Sequence, residues 1–166
     1  MSLVALLQTG CLIAFAILLC VAAWRDYRTL LIFNAFPVAI VAVFAIWALA
    51  GIGSGRGASL PDVAGSVVCA ASVFAVGAAA FAFGGVGGGD VKLLAAATLF
   101  AGPSLLLDFV LVTAVAGGLL GVAVLAGAPI GAMAGSGEPS RWRRSLPYGP
   151  AIAAGGLWVA LSRALG

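Results

Sequence analysis

Gly84-Gly85-Val86-Gly87-Gly88-Gly89-Asp90-Val91-Lys92 is the stretch around which this chain is organised. Five glycines in six residues run straight into a carboxylate and a lysine, with apolar segments on both sides. Glycine has no side chain to keep another chain away. A carboxylate at membrane depth is costly and usually functional. Asp90 therefore reads as one half of a catalytic pair, and the rest of the chain as the means of bringing Asp26 to it.

Composition sets the environment. The chain has 166 residues, of which 64% are hydrophobic and 8% charged. A soluble domain carries about a quarter charged residues, so this chain cannot cover a globule with polar surface. An all-α, polytopic membrane protein is expected, with residues 1–166 forming one compact bundle. The net charge of +3 does not indicate nucleic-acid binding, and the basic residues read better as topology signals. Cys11, Cys20 and Cys69 all fall in apolar spans, none forms a CxxC pair, and there is no histidine. They read as small buried residues rather than as a metal site or a disulfide framework. The N-terminus lacks the basic region of a signal peptide, and its long apolar run fits a first transmembrane helix.

Working outward from the glycines, six spans are expected, at about 3–23, 31–50, 62–83, 90–101, 104–126 and 147–164. The first ends at Trp24-Arg25-Asp26-Tyr27-Arg28, whose aromatic and basic residues suit a cytoplasmic interface. Pro37 lies in the first turns of the second, where a missing N–H is tolerated. Gly102-Pro103 interrupts the apolar run after Asp90. The segment from Val91 to Ala101 covers only about 17 Å of helix at 1.5 Å per residue, against a hydrocarbon core of about 30 Å. Either the helix continues through Pro103, or the span is short and its N-terminus lies below the membrane surface; the second reading is favoured, and it draws Asp90 inward. Residues 127–145 form a loop ending in the basic, aromatic patch Arg141-Trp142-Arg143-Arg144.

Six spans put both termini on one side. Arg25, Arg28, Lys92, Arg141, Arg143 and Arg144 then share the opposite side, against Arg56 and Arg163. This bias makes the first group cytoplasmic and the termini periplasmic. Asp26 and the glycine stretch share the cytoplasmic side. Of the other acids, Glu138 is expected to be solvated in the long loop. Asp62 is expected as an N-cap or first-turn acid, which the helix dipole favours, and Asp108 near the outer interface. Asp26 could simply balance Arg25 and Arg28, and Asp90 could be an N-cap acid. Their common membrane face weakens both simple readings. The glycines could form a tight turn, or a place where an extended substrate backbone lies close.

Two nearby carboxylates can share one proton, because like charges at short range do not both ionise easily. One then acts as general base on a water while the other, protonated, polarises a scissile carbonyl. No metal, cofactor or covalent nucleophile is needed. Lys92 cannot closely share the helix face of Asp90, and it reads as snorkelling to the headgroups or holding local structure.

These residues resemble a known family. Gly87-Gly88-Gly89-Asp90 matches the GxGD motif of intramembrane aspartic proteases, and Lys92 extends it to the GxGDxK form of type IV prepilin peptidases. Asp26-Tyr27-Arg28-Thr29-Leu30-Leu31-Ile32-Phe33-Asn34 keeps the Asp, Arg, Ile and Asn of that family's D-x-R-x-x-x-I-P-N pattern, with Phe33 in place of proline. Pro-Tyr-Gly-Pro-Ala-Ile-Ala-Ala-Gly-Gly at 147–156 is similar to its last span. The chain is similar to the short form associated with Flp-type tight-adherence pili. The resemblance implies cleavage of prepilin or pseudopilin precursors in the membrane, at its cytoplasmic face, between a short basic leader and an apolar helix. It also implies Asp26 and Asp90 as catalytic residues, and Gly87, Gly88, Gly89, Lys92 and Asn34 as substrate-binding residues. The cysteine-rich domain of longer, methylating members has no counterpart here. Two other functions compete. A small transporter would use the aspartates as a proton relay, although no internal repeat is evident. A non-catalytic pilus assembly protein would tolerate replacement of both aspartates.

Overall fold

The computed structural model describes residues 3–29, 32–54, 58–126 and 147–165. The basic patch at 141–144, Arg56 and Glu138 lie outside the described residues. Those described form an all-helical structure of five helices: α1 Leu3–Thr29, α2 Ala35–Ser54, α3 Leu60–Ala82, α4 Gly88–Leu125 and α5 Gly149–Leu165. The first four are long and apolar enough to cross a membrane.

The expected break after Asp90 is present, as a kink inside one element. Gly102 has φ 59° and ψ −172°, which is not helical, and Pro103 follows it. An L side chain rarely adopts this φ, and proline supplies no N–H to continue the ladder. The break divides α4 into a first arm, 88–101, and a second, 103–125.

The close approaches at glycines give the direction of each arm. A Cβ on Gly65 would lie 2.7 Å from Pro103, and one on Gly77 would lie 2.8 Å from Val91. These pairs are twelve residues apart on both helices, so α3 and the first arm run antiparallel in fixed register. Gly117 approaches Tyr148 and Ala151, while Gly155 approaches Thr113 and Phe109, so the second arm runs antiparallel to α5. Gly149 meets Asp26 and Gly156 meets Leu19, so α5 also runs antiparallel to α1. The chain therefore reverses direction at Gly102, and the described segments alternate up and down. In lipid, helices associate through close packing rather than through hydrophobicity, and small residues allow that approach.

The first arm is the centre of the bundle. Leu93 and residues 95–102 are buried along it, whereas α3 buries only Ser66 and Ala70. Phe100 stacks on Phe15 at 4.2 Å and meets Phe44 edge-on at 5.3 Å. Helix α3 starts with a capping box: the Ser59 hydroxyl accepts from the Asp62 amide, and the Asp62 carboxylate accepts from the Ser59 amide at 3.0 Å. Asp62 is thus a first-turn acid, as expected.

Helix boundaries differ from the sequence reading most at α1. It continues through Trp24-Arg25-Asp26-Tyr27-Arg28 to Thr29 instead of ending at 23. Its 27 residues extend about 40 Å at 1.5 Å per residue, so the final turns can stand beyond the hydrocarbon core. The buried residues Phe15, Leu19, Ala22 and Asp26 recur at helical spacing. Asp26 thus continues the apolar stripe that faces the bundle.

Candidate active site

Both aspartates lie at one end of the bundle. Asp26 is 4% exposed, although Trp24, Arg25, Tyr27 and Arg28 around it are exposed. The arginines are held elsewhere. Arg25 lies over the Phe33 ring at 5.5 Å, and Arg28 over Trp24 at 4.8 Å. The reading of Asp26 as a mere counter-ion for its neighbours therefore loses its partners.

The Asp26 carboxylate instead accepts a hydrogen bond of 2.7 Å from the Gly149 backbone N–H, 123 residues away in sequence. The local cause is the start of α5. The Tyr148 carbonyl accepts from the Ile152 amide, which places Gly149 at the first helical position. Its N–H has no partner inside the helix, and the helix dipole favours an anion there. Flanking Pro150 contributes no N–H of its own. A Cβ on Gly149 would come 2.7 Å from the Asp26 Cβ and 2.8 Å from its Oδ2, so only glycine permits this approach.

Asp90 occupies the first turn of α4, after the N-cap Gly87. The Gly87 backbone hydrogen-bonds its carboxylate, and Asp26 is close enough to act on it electrostatically. The structure thus brings the two carboxylates into one site, each beside the N-terminus of a helix. Such ends partly compensate clustered negative charge without a cation. Among the described residues, no group of three or more His, Cys, Asp or Glu side chains is placed to hold a metal ion.

The glycines have distinct local reasons. Gly84 has φ +76° and turns the chain out of α3. A Cβ on Gly87 would lie 2.7 Å from the Asp90 Oδ2. One on Gly89 would lie 3.0 Å from the Ile32 Cβ and 3.2 Å from its carbonyl oxygen. Gly87 therefore makes room for the carboxylate, and Gly89 lets the α1–α2 connection settle against α4. At Gly88 a Cβ would make only ordinary contact with Phe81. Of the two readings open from sequence, the tight turn is seen at Gly84, while Gly87 and Gly89 answer to close approaches within the chain itself.

Lys92 and Asn34 meet each other. The lysine Nζ donates to the Asn34 Oδ1 at 2.9 Å, tying the first turns of α4 to the start of α2. Phe33, where a proline was expected, is exposed and lies under Arg25. Gly149 is the site residue that sequence reasoning did not single out. The available signal was a glycine between two prolines, Pro147 and Pro150, at the start of an apolar segment.

Residues 13–122, well over half of the chain, match a family model described as the type IV leader peptidase family. No curated protein and no solved structure matches. Asp26, Asn34, Asp90 and Lys92 all fall inside the matched region, and Gly149 lies outside it.

Proposed function

The chain belongs to the type IV leader peptidase family, and we propose that it is an aspartic endopeptidase that removes the short basic leader of Flp-type prepilins. The family supports a leader-peptidase function and a prepilin substrate, and the long apolar helices fit a multi-pass membrane protein. One observation carries the catalytic assignment. Asp26 turns inward from an otherwise exposed, basic helix end and shares a site with Asp90.

In this mechanism the pair holds one proton between two carboxyl groups. The ionised carboxylate takes a proton from water, whose oxygen attacks the scissile carbonyl carbon. The protonated carboxyl donates its proton to the carbonyl oxygen, giving a neutral tetrahedral diol. Collapse returns that proton to a carboxylate, and the other carboxyl protonates the leaving nitrogen as the C–N bond breaks. The titration belongs to the pair, so base and acid are roles and are not assigned to one residue each. The Gly149 N–H orients the Asp26 carboxyl throughout.

The active end is assigned to the cytoplasmic face. Among the described residues Arg25, Arg28 and Lys92 lie at that end and Arg163 at the other, as the positive-inside rule requires. Six crossings with periplasmic termini follow if α5 and both arms of α4 each cross the bilayer. A leader rich in lysine would then remain in the cytoplasm while the precursor's helix stays in lipid, which sets the scissile bond at the interface.

The test is cleavage of an Flp-type prepilin by the purified protein in a bilayer, with mass spectrometry of both products. A single cut between leader and helix, lost in Asp26→Asn and in Asp90→Asn, supports the proposal. Near-normal cleavage by either variant contradicts it. The wild-type rate is expected to follow a bell-shaped pH profile, because one carboxyl must be ionised and one protonated.

A further inference from the structure

On the outside of the bundle, an apolar groove of about 570 Å³ runs between α2, α3 and the first arm of α4 and ends at Lys92, in the same turn of α4 as Asp90. Val38, Val41 and Phe74 stand along its sides, and Ala71, Ala95 and Ala96 are among its small lining residues. The polar exceptions are Asn34 and Lys92, joined by their 2.9 Å hydrogen bond. We propose that this groove receives the apolar helix of the precursor, a reading that rests on the peptidase function above.

Three observations commit it to a helix. The first is length. The lining runs from Asn34, just before α2, to Val41 on α2, from Val67 to Phe74 on α3 and from Lys92 to Leu99 on α4. Each stretch covers about 10 Å, or two helical turns, and the three lie side by side. A groove of that length matches side chains spaced i, i+3, i+4 and i+7 on one face of an inserted helix.

The second is the shape of the lining. Helices in lipid gain from close backbone approach, which small residues allow. The alanines leave a recess between larger, exposed side chains. Val38 is 66% exposed, and Phe74 is 46% exposed, so these side chains are free to contact an incoming helix.

The third is continuity with the candidate site. The groove ends at the Asn34–Lys92 pair, and Lys92 follows Asp90 by two residues. A chain leaving the groove there reaches the carboxylates by crossing the first turn of α4, where Gly88 carries no side chain and an added Cβ would meet only the Phe81 ring, at 3.4 Å. The helix would therefore be held where its own N-terminal end, and the bond before it, meet the aspartates. Lys92 lies at the level where apolar helix gives way to leader, with its ammonium at the headgroups.

The test uses an Flp-type prepilin with its full helix and a short water-soluble peptide carrying only the leader and the cut site. Ala71→Trp fills the groove from an exposed position, and Val115→Trp adds the same bulk on the exposed face of the second α4 arm. Ala71→Trp is expected to raise KM for the full prepilin about tenfold with kcat within twofold, while Val115→Trp changes neither and cleavage of the soluble peptide is unaffected by both. A KM for Ala71→Trp equal to that of Val115→Trp overturns the groove assignment and leaves the peptidase reading intact. A second arm does not depend on turnover. A photo-crosslinking residue at Val41, in an Asp90→Asn background, is expected to capture the prepilin helix. Capture of lipid alone overturns the proposal.

Discussion

The two ends of this bundle treat charge in opposite ways. At the end away from the aspartates, every ionisable side chain with a described contact serves the fold. Asp62 closes the capping box of α3. Arg163 donates from Nε to the Phe100 carbonyl at 2.5 Å and from Nη2 to the Ala101 carbonyl at 3.2 Å. These carbonyls end the first arm of α4 and lose their helical partners at the Gly102 break. Arg163 also lies over the Trp47 ring at 5.2 Å. At the other end, Asp90 bonds the backbone of its N-cap Gly87 much as Asp62 bonds Ser59, but it also lies close enough to feel the charge of Asp26, which is buried with only a backbone amide as its partner. A structural charge is satisfied, and a buried carboxylate left beside a like charge is a cost that function explains.

If that contrast is right, substitutions at the two ends separate activity from stability. The largest effect is expected at the aspartates. Asp26→Asn and Asp90→Asn should each lower kcat/KM for prepilin cleavage by about a thousandfold or more. The double variant should fall little further, because residues acting as a unit are strongly non-additive. All three should keep wild-type helical circular dichroism. Additive losses would argue for two independent roles.

Gly149→Ala should be next. Its Cβ would come 2.7 Å from the Asp26 Cβ, so α5 must shift and the amide that holds the carboxyl must move. A loss of about 10- to 100-fold in kcat is expected from a misplacement of this size. Gly118→Ala, where nothing lies within 4 Å, is the control and should be silent.

At the far end the signs reverse. Arg163→Met should destabilise the protein by about 2 kcal/mol, since two carbonyls in a partly buried site lose a charged donor. Thermal unfolding in detergent should show this, with cleavage per folded molecule within twofold of wild type. A large loss of kcat with unchanged stability would break the contrast. The smallest effect is expected back at the active end, for Lys92→Met. Its exposed hydrogen bond to Asn34 should contribute about 1 kcal/mol or less, seen as a modest fall in melting temperature, and because the lysine lines the groove KM for the full prepilin should rise by no more than about fivefold.

Much of this arrangement was legible in the residues, for reasons that are local. The apolar excess required a membrane bundle, and the glycine run before Asp90 pointed to close backbone approach, as a tight turn or beside a substrate. Gly102-Pro103 left open a helix running through Pro103, and the structure shows the break that was favoured, at Gly102. The extent of α1 was not legible. Trp24 to Arg28 has the composition of an interface, and a helix that outruns the bilayer shows the same composition while keeping its hydrogen bonds. The inward turn of Asp26 becomes visible only when Phe15, Leu19 and Ala22 are known to face the core. The Gly149 contact joins residues 123 positions apart, so no local pattern reports it. Lys92 and Asn34 were read together as substrate-binding residues, and the structure adds that they bind each other. Their spacing of 58 residues hid that bond.

Asp26 and Asp90 can share a proton only as one unit at one end of the bundle, and proximity in the membrane tests this most directly. Cys11, Cys20 and Cys69 are replaced by alanine, and a short bifunctional thiol reagent is applied to Asp26→Cys/Asp90→Cys and to Asp26→Cys/Asp62→Cys in native vesicles. Cross-linking is expected for the first pair and not for the second, scored by mass spectrometry of the linked peptides. Failure of the first pair to link with or without bound precursor, or equal linking of both pairs, would contradict the account.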